Sequence, residues 1–197
     1  MFIQTESTPN PLTLKFLPGR DVLGAEGGAR EFRTYDEAAV GSPLAQELFE
    51  VDGVARVFLG SDFLTVTKHA GDLDWRHLKA PVLAAIMEHF ASGRPVLAQE
   101  GGGDTSGHDE HHVYEGDTAQ VVAEIKDLLD TRIRPAVAQD GGDIVFNRFE
   151  PDTGVVYLHM RGACAGCPSS SATLKAGVEN MLKHYVPEVS RVEQALG

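Results

Sequence analysis

Residues 154–171 read GVVYLHMRGACAGCPSSS and carry three structural signals in succession. The first part is rich in β-branched and aromatic residues, which is typical of a β-strand. Pro168 favours the first position of a helix, where its missing N–H has no partner to lose. Cys164 and Cys167 lie between these signals and are the only cysteines of the chain. The stretch therefore predicts a strand, an exposed loop with two thiols, and a helix.

The surrounding residues predict a C-terminal domain with the element order α-β-β-α-β. Thr118 is expected to cap the first helix, which Pro135 kinks or restarts. The β-rich runs 144–149 and 154–160 predict an antiparallel pair, and residues 190–195 predict a last short strand. We expect a mixed sheet with helices on one face. The helix after the cysteines is expected to bury one face, which carries Leu174, Val178, Met181, Leu182 and Tyr185.

Residues 140–143 read DGGD and come directly before the first of these strands. Glycine accepts positive φ and aspartate is common in turns, so the four residues predict a turn. A second hypothesis gives this turn a role beside the cysteines, because loops often carry function. Arg132 and Arg134 precede the turn and are expected to lie on a solvated helix face.

The N-terminal region predicts a second small domain over residues 1–98. Apolar and polar residues alternate over 12–16, which predicts a strand. Ser42, followed by proline, is typical of a helix N-cap. Residues 54–68 predict two strands around a short turn, and residues 74–91 predict a second helix. The fold class expected from both regions is α+β, with two small α/β domains.

A flexible linker is expected at 99–116, between the first domain and a second domain at 117–197. It combines glycines with acidic residues and histidines and has no apolar periodicity. His108, His111 and His112 lie close together there. We do not expect them to form a metal site, because ligation requires a preorganised shell.

The overall charge excludes two classes of partner. The formal net charge is -12, which disfavours binding to nucleic acid and to an anionic membrane, since both depend on an excess of Lys and Arg. No apolar run approaches the roughly 18 residues of a membrane span. The first residues contain Glu6 and have no arginine before Arg20, unlike a secretory or transit peptide. We therefore expect a cytoplasmic protein, or a mature protein inside an organelle.

The two cysteines are expected to be reduced and reactive. A reducing compartment disfavours a disulfide, and the short loop between Cys164 and Cys167 would gain little stability from one. Their place before a helix N-terminus predicts a lowered thiol pKa, which favours the thiolate that binds metals or attacks disulfides.

Three chemical hypotheses follow from the C-x-x-C spacing. A thioredoxin-like redox pair is one, although no tryptophan precedes Cys164 and Pro168 follows the second cysteine. Zinc and an iron–sulfur cluster are the others, and each takes about four protein ligands. One chain offers two thiols, so a twofold dimer would complete such a site. The residues alone leave zinc and iron–sulfur open. They contain no Walker or dinucleotide glycine motif, and the serines 169–171 have no recognisable histidine and acid partners.

Two parts of the chain resemble a known family. Residues 139–144 (QDGGDI) and 156–182 (VYLHMRGACAGCPSSSATLKAGVENML) resemble the C-terminal domain of NifU-type iron–sulfur scaffold proteins. Residues 2–20 (FIQTESTPNPLTLKFLPGR) resemble the N-terminal domain of the Nfu proteins of bacteria and mitochondria. The order of these parts is similar to that of an Nfu-type protein over nearly the full length.

The resemblance implies an iron–sulfur cluster carrier and not an enzyme. It implies a labile [4Fe–4S] cluster that Cys164 and Cys167 ligate, bridged between the subunits of a homodimer. It also implies an upstream assembly protein as donor and apo iron–sulfur proteins as recipients, which the N-terminal domain helps to select. The location it implies is the bacterial cytoplasm, or the mitochondrial matrix for a mature eukaryotic form. A thiol–disulfide oxidoreductase and a zinc-bridged structural dimer are the alternatives.

Overall fold

The chain forms two units, residues 1–103 and 104–197, and each has its own sheet and hydrophobic core. The computed structural model describes residues 2–25, 27–71, 74–98, 113–165 and 168–195. The expected linker at 99–116 falls mainly outside these ranges, so its boundaries and its histidines stay predictions. Among the described helices, none combines the length and apolar character needed to cross a bilayer.

The N-terminal unit packs helices against an antiparallel sheet with the strand order β1-β2-β5-β4-β3. Phe16, Leu44 and Ile86 are fully buried in its core. Its elements are β1 (Gln4–Ser7), β2 (Thr13–Leu17), β3 (Arg30–Phe32), α1 (Tyr35–Gly41), α2 (Pro43–Phe49), β4 (Val54–Leu59), β5 (Leu64–Lys68) and α3 (Trp75–Ser92).

Ser42 begins α2 as the sequence predicts. Its Oγ accepts a hydrogen bond from the Ala45 N–H at 3.1 Å and donates one to the Val96 carbonyl at 2.5 Å. One side chain thus caps the helix and ties it to the chain after α3. The predicted strand pair is present as β4 and β5, and the predicted second helix is present as α3. Strands β1 and β3 and helix α1 are additional elements that the sequence reading omitted.

The C-terminal unit has the predicted order α-β-β-α-β. Strands β6 and β7 are antiparallel, and β8 adds to β7 in parallel, so the sheet is mixed. Residues from the helices and all three strands share one core. The elements are α4 (Gly116–Leu128), a π-helical turn (Leu129–Ile133), α5 (Arg134–Gln139), β6 (Gly142–Glu150), β7 (Val155–Gly162), α6 (Pro168–Tyr185) and β8 (Arg191–Gln194).

The start of α4 differs from the prediction. Glu115 is the N-cap residue and makes no side-chain cap hydrogen bond, whereas Thr118 lies within the first turn. Gly116 has a φ of 59°, a conformation that glycine adopts at little cost. The chain therefore enters the helix earlier than the predicted Thr118 cap.

The π-helical turn arises where α4 meets Pro135. The Arg134 N–H bonds to the Leu129 carbonyl, five residues back. Pro135 has no N–H to continue the regular ladder, and the Thr131 hydroxyl donates to the Asp127 carbonyl at 2.7 Å. One extra residue in a helical turn rotates the following side chains by about 100°. The turn therefore decides the direction in which Arg134 projects.

Helix α6 buries a narrower face than the sequence predicts. Val178 and Leu182 are buried, but Met181 and Tyr185 are 36% and 41% exposed. Each of the exposed pair lies about 60° around the helix from its buried neighbour, outside the contact with the sheet. The guanidinium of Arg132 lies 4.9 Å from the centre of the Tyr185 ring and donates to its hydroxyl at 3.1 Å.

Tyr114 covers part of the edge strand β6. Its hydroxyl accepts from the Phe149 N–H at 2.7 Å and donates to the Phe149 carbonyl at 3.1 Å. An edge strand otherwise presents such groups to water or to another chain. Tyr114 therefore joins the segment before α4 to the sheet.

Replacing Tyr114 by phenylalanine is expected to destabilise the C-terminal unit by about 1–2 kcal/mol, because two backbone groups lose their partner. Tyr185→Phe is the control, since it loses one exposed hydrogen bond and should change stability by less than about 0.5 kcal/mol. Urea unfolding measured by circular dichroism compares the two variants. Equal stabilities for both would contradict the role of Tyr114.

Candidate metal centre

Cys164 lies at the predicted place, in the turn directly after β7 and before α6. Gly162 has a φ of 63° and turns the chain away from the sheet. The Ala165 N–H donates to the Gly162 carbonyl at 3.1 Å and closes this turn. Cys167, the other predicted ligand, lies outside the described residues.

The sequence predicts an exposed loop for both thiols, but the side chain of Cys164 is buried. The residue is 5% exposed and belongs to the hydrophobic core of the C-terminal unit. Because β7 ends in a tight turn, its next residues fold back over the end of the sheet. The sequence indicated the loop but gave no sign that its first cysteine packs inward.

The predicted lowering of the thiol pKa is wrong for Cys164. Burial, together with the negative charges of Asp140 and Asp143, raises the pKa of this thiol to about 12. Burial removes the water that would stabilise a thiolate, and nearby negative charge disfavours it. The thiol is therefore protonated near neutral pH. A metal or cluster that binds this sulfur has to displace the proton.

The backbone at Gly142 lies against Cys164. A Cβ at this position would overlap the Cys164 Sγ and would lie 2.8 Å from the Arg161 carbonyl oxygen and 3.1 Å from the Cys164 nitrogen. Gly142 is also the first residue of β6, so it belongs to the strand and not to the predicted turn. The turn itself consists of Asp140 and Gly141, whose φ is 82°.

Asp143 follows Gly142 and forms a paired contact with Arg134. The Arg134 Nε and Nη2 donate to the two Asp143 carboxylate oxygens at 2.8 and 3.1 Å. The Arg134 Nη1 donates to Asp130 at 2.9 Å. The Asp143 side chain is 8% exposed, and its hydrogen bond is the main cause that raises the pKa of Arg134 above its ordinary value.

Arg134 is therefore more than the solvated residue that the sequence predicted: its side chain is 38% exposed, but it pairs with the nearly buried Asp143. Its role was missed because a helix of regular pitch would give no reason to turn this side chain towards β6. The only sequence signals were the proline that follows it and the aspartate of the DGGD stretch nine residues later.

The described residues do not complete a metal site within one chain. Among the residues with described positions, no group of three His, Cys, Asp or Glu side chains is close enough to hold a metal ion. Cys164 contributes one sulfur, and the predicted partner Cys167 and the histidines at 108, 111 and 112 lie outside the description.

Comparisons with known proteins identify both units. Residues 3–93 match the family described as "Scaffold protein Nfu/NifU N terminal", and residues 125–193 match the "NifU-like domain". A solution NMR structure of a NifU-like protein from Saccharomyces cerevisiae is 31% identical, with a TM-score of 0.44. It covers 51% of this chain and 87% of that chain.

Two relatives match nearly the whole chain. "NifU-like protein 4, mitochondrial" of Arabidopsis thaliana is 51% identical over 194 residues, which are 98% of this chain and 66% of that protein. "NFU1 iron-sulfur cluster scaffold homolog, mitochondrial" of Homo sapiens is 49% identical over 200 residues, which are 100% of this chain and 72% of that protein. The chain thus spans about two thirds of the length of the Arabidopsis relative. With both domains matched in order, the chain belongs to the Nfu/NifU family of iron–sulfur cluster scaffold proteins.

Proposed function

We propose that this protein carries a labile [4Fe–4S] cluster on Cys164 and Cys167 and delivers it to apo-proteins. The observation that carries the proposal is the match of both family domains, in order, to a chain whose only two cysteines lie in one loop. The role is one of binding and transfer, without turnover of a small substrate.

The number of ligands supports a bridged homodimer. An iron–sulfur cluster of this type takes about four thiolates, and one chain has two. Two copies of the loop around a twofold axis supply four equivalent ligands. A cluster held in this way lies between chains, so separation of the halves releases it. That property suits a carrier.

The environment of Cys164 disfavours the redox alternative. A thiol–disulfide oxidoreductase needs an accessible thiol with a lowered pKa. Cys164 is buried, and both burial and the neighbouring carboxylates raise its pKa. Metal ligation overcomes such a barrier, because the cation replaces the proton at the sulfur.

Partners and location follow from the same proposal. The donor is an upstream cluster-assembly protein, and the recipients are apo iron–sulfur proteins. The names of the Arabidopsis and human relatives place those proteins in mitochondria. This favours the mitochondrial matrix for a eukaryotic form of the chain, with the cytoplasm as the bacterial equivalent.

Anaerobic reconstitution with iron and sulfide is expected to give broad visible absorbance and about two irons and two sulfides per chain. Cys164→Ser and Cys167→Ser should each abolish both, because one thiolate remains per chain and only two remain per dimer. A triple substitution of His108, His111 and His112 by alanine is the control and should retain the cluster.

Two outcomes would contradict this function. A colourless protein that reduces disulfides would favour the oxidoreductase, and tight zinc binding without iron uptake would favour a zinc-bridged dimer. Iron analysis, zinc analysis and an insulin reduction assay on the same preparation separate the three results.

A fragment of residues 113–197 is expected to bind the cluster as well as the full chain does. It contains both cysteines and the whole C-terminal core. Residues 1–98 should bind none and provide the control. A folded C-terminal fragment that stays free of iron would show that the N-terminal region or the linker contributes to binding.

A further inference from the structure

We propose that Gly142 and the Arg134–Asp143 ion pair position the Cys164 sulfur for cluster ligation. The inference rests on Cys164 being the ligand assigned under the proposed function. It goes beyond that function by giving a role to residues that do not themselves touch the cluster. Four observations lead to it: two concern contacts at the cysteine turn, and two concern the Arg134–Asp143 pair beside it.

The first observation is the absence of a side chain at Gly142. The Cys164 sulfur occupies the volume that a Cβ on Gly142 would fill. Gly142 is also paired with Gly162 across the β6–β7 ladder. The end of this hairpin therefore has no side chain at either position of the pair, and the cysteine turn packs into that space.

The second observation is a backbone tether between the cysteine turn and the residue before β6. The Ala163 N–H donates to the Gly141 carbonyl at 3.1 Å. Ala163 immediately precedes the cysteine, so this bond holds the backbone that carries the sulfur. A side chain at Gly142 would have to displace either the sulfur or this tether.

The third observation is the way in which Asp143 is held. Its carboxylate is nearly buried and accepts two hydrogen bonds from Arg134. A buried carboxylate without its partner is strongly unfavourable, so the pair keeps the first residues of β6 beside α5. The π-helical turn and Asp130 in turn hold Arg134.

The fourth observation concerns charge. Asp143 directly follows Gly142, whose backbone lies against the Cys164 sulfur. A [4Fe–4S] cluster bound by four thiolates carries net negative charge, so an unpaired Asp143 would repel it. The guanidinium of Arg134 lies against Asp143 and offsets that repulsion. The ion pair therefore acts on the cluster through both geometry and charge.

Gly142→Ala in the full chain tests the steric part, with Gly154→Ala as a matched control. Gly154 lies at the opposite end of the same hairpin, and a Cβ there would lie 2.5 Å from the Glu188 carbonyl oxygen and 3.0 Å from the Ser190 nitrogen. Both substitutions should lower Tm. Only Gly142→Ala should lower the iron bound per folded chain and alter the visible circular dichroism of the cluster that remains.

The charge part is tested by the rate at which a chelator removes iron. Arg134→Gln should accelerate removal about tenfold, since it leaves the Asp143 charge uncompensated. The double variant Arg134→Gln with Asp143→Asn should restore most of the slow rate. Lys183→Gln breaks the exposed pair with Glu179 and serves as the control without effect. A double variant as fast as Arg134→Gln would overturn the charge argument.

Amide hydrogen exchange of the apo-protein decides the geometric claim without a cluster. Gly142→Ala should accelerate exchange at the Ala163 N–H about tenfold relative to Gly154→Ala, because its bond to Gly141 breaks. Unchanged exchange, or wild-type iron content and spectrum in Gly142→Ala, would overturn the proposal. Failure of the wild-type protein to take up iron would instead contradict the proposed function, and the exchange result would still decide whether Gly142 positions the loop.

Discussion

The contact between the Cys164 sulfur and the backbone at Gly142 constrains the whole end of the C-terminal sheet. Because the sulfur lies where a side chain would be, strand β6 has to begin with glycine. The residue before it has to accept the Ala163 hydrogen bond, and the residue after it is fixed by Arg134. The π-helical turn that aims Arg134 is therefore part of the same arrangement. The strand start, the cysteine loop and the Arg134–Asp143 pair thus meet at a single close approach.

This arrangement places a thiol where a free thiolate is unfavourable. Burial and two carboxylates raise the pKa of Cys164. The sulfur therefore keeps its proton until a metal ion displaces it. For the proposed carrier function this has a useful consequence, because the sulfur has an alternative partner, the proton, when the cluster leaves. A redox thiol gains nothing from such an environment, because its reactivity requires the thiolate. The chemistry of the site and the family membership thus favour the same kind of function.

Much of the fold could be predicted from local signals, and the failures share a physical cause. Ser42, the hairpin at β6 and β7, and the element order of the C-terminal unit follow from caps, turns and periodicity that a short stretch of sequence contains. Strand β3 is three residues long and largely polar, so it has no periodicity to recognise. The burial of Cys164 against Gly142 and the pairing of Arg134 with Asp143 depend on contacts between separate elements. No pattern within either segment encodes those contacts.

The central claim is that one cluster joins two copies of this chain through their cysteine loops. Native mass spectrometry of the anaerobically reconstituted protein measures this directly, because it weighs the chains and the cluster together. The account predicts a species of two chains plus one [4Fe–4S] cluster, which returns to single apo chains when a chelator removes the iron. One cluster on a single chain, or a dimer that persists after iron removal, would contradict it.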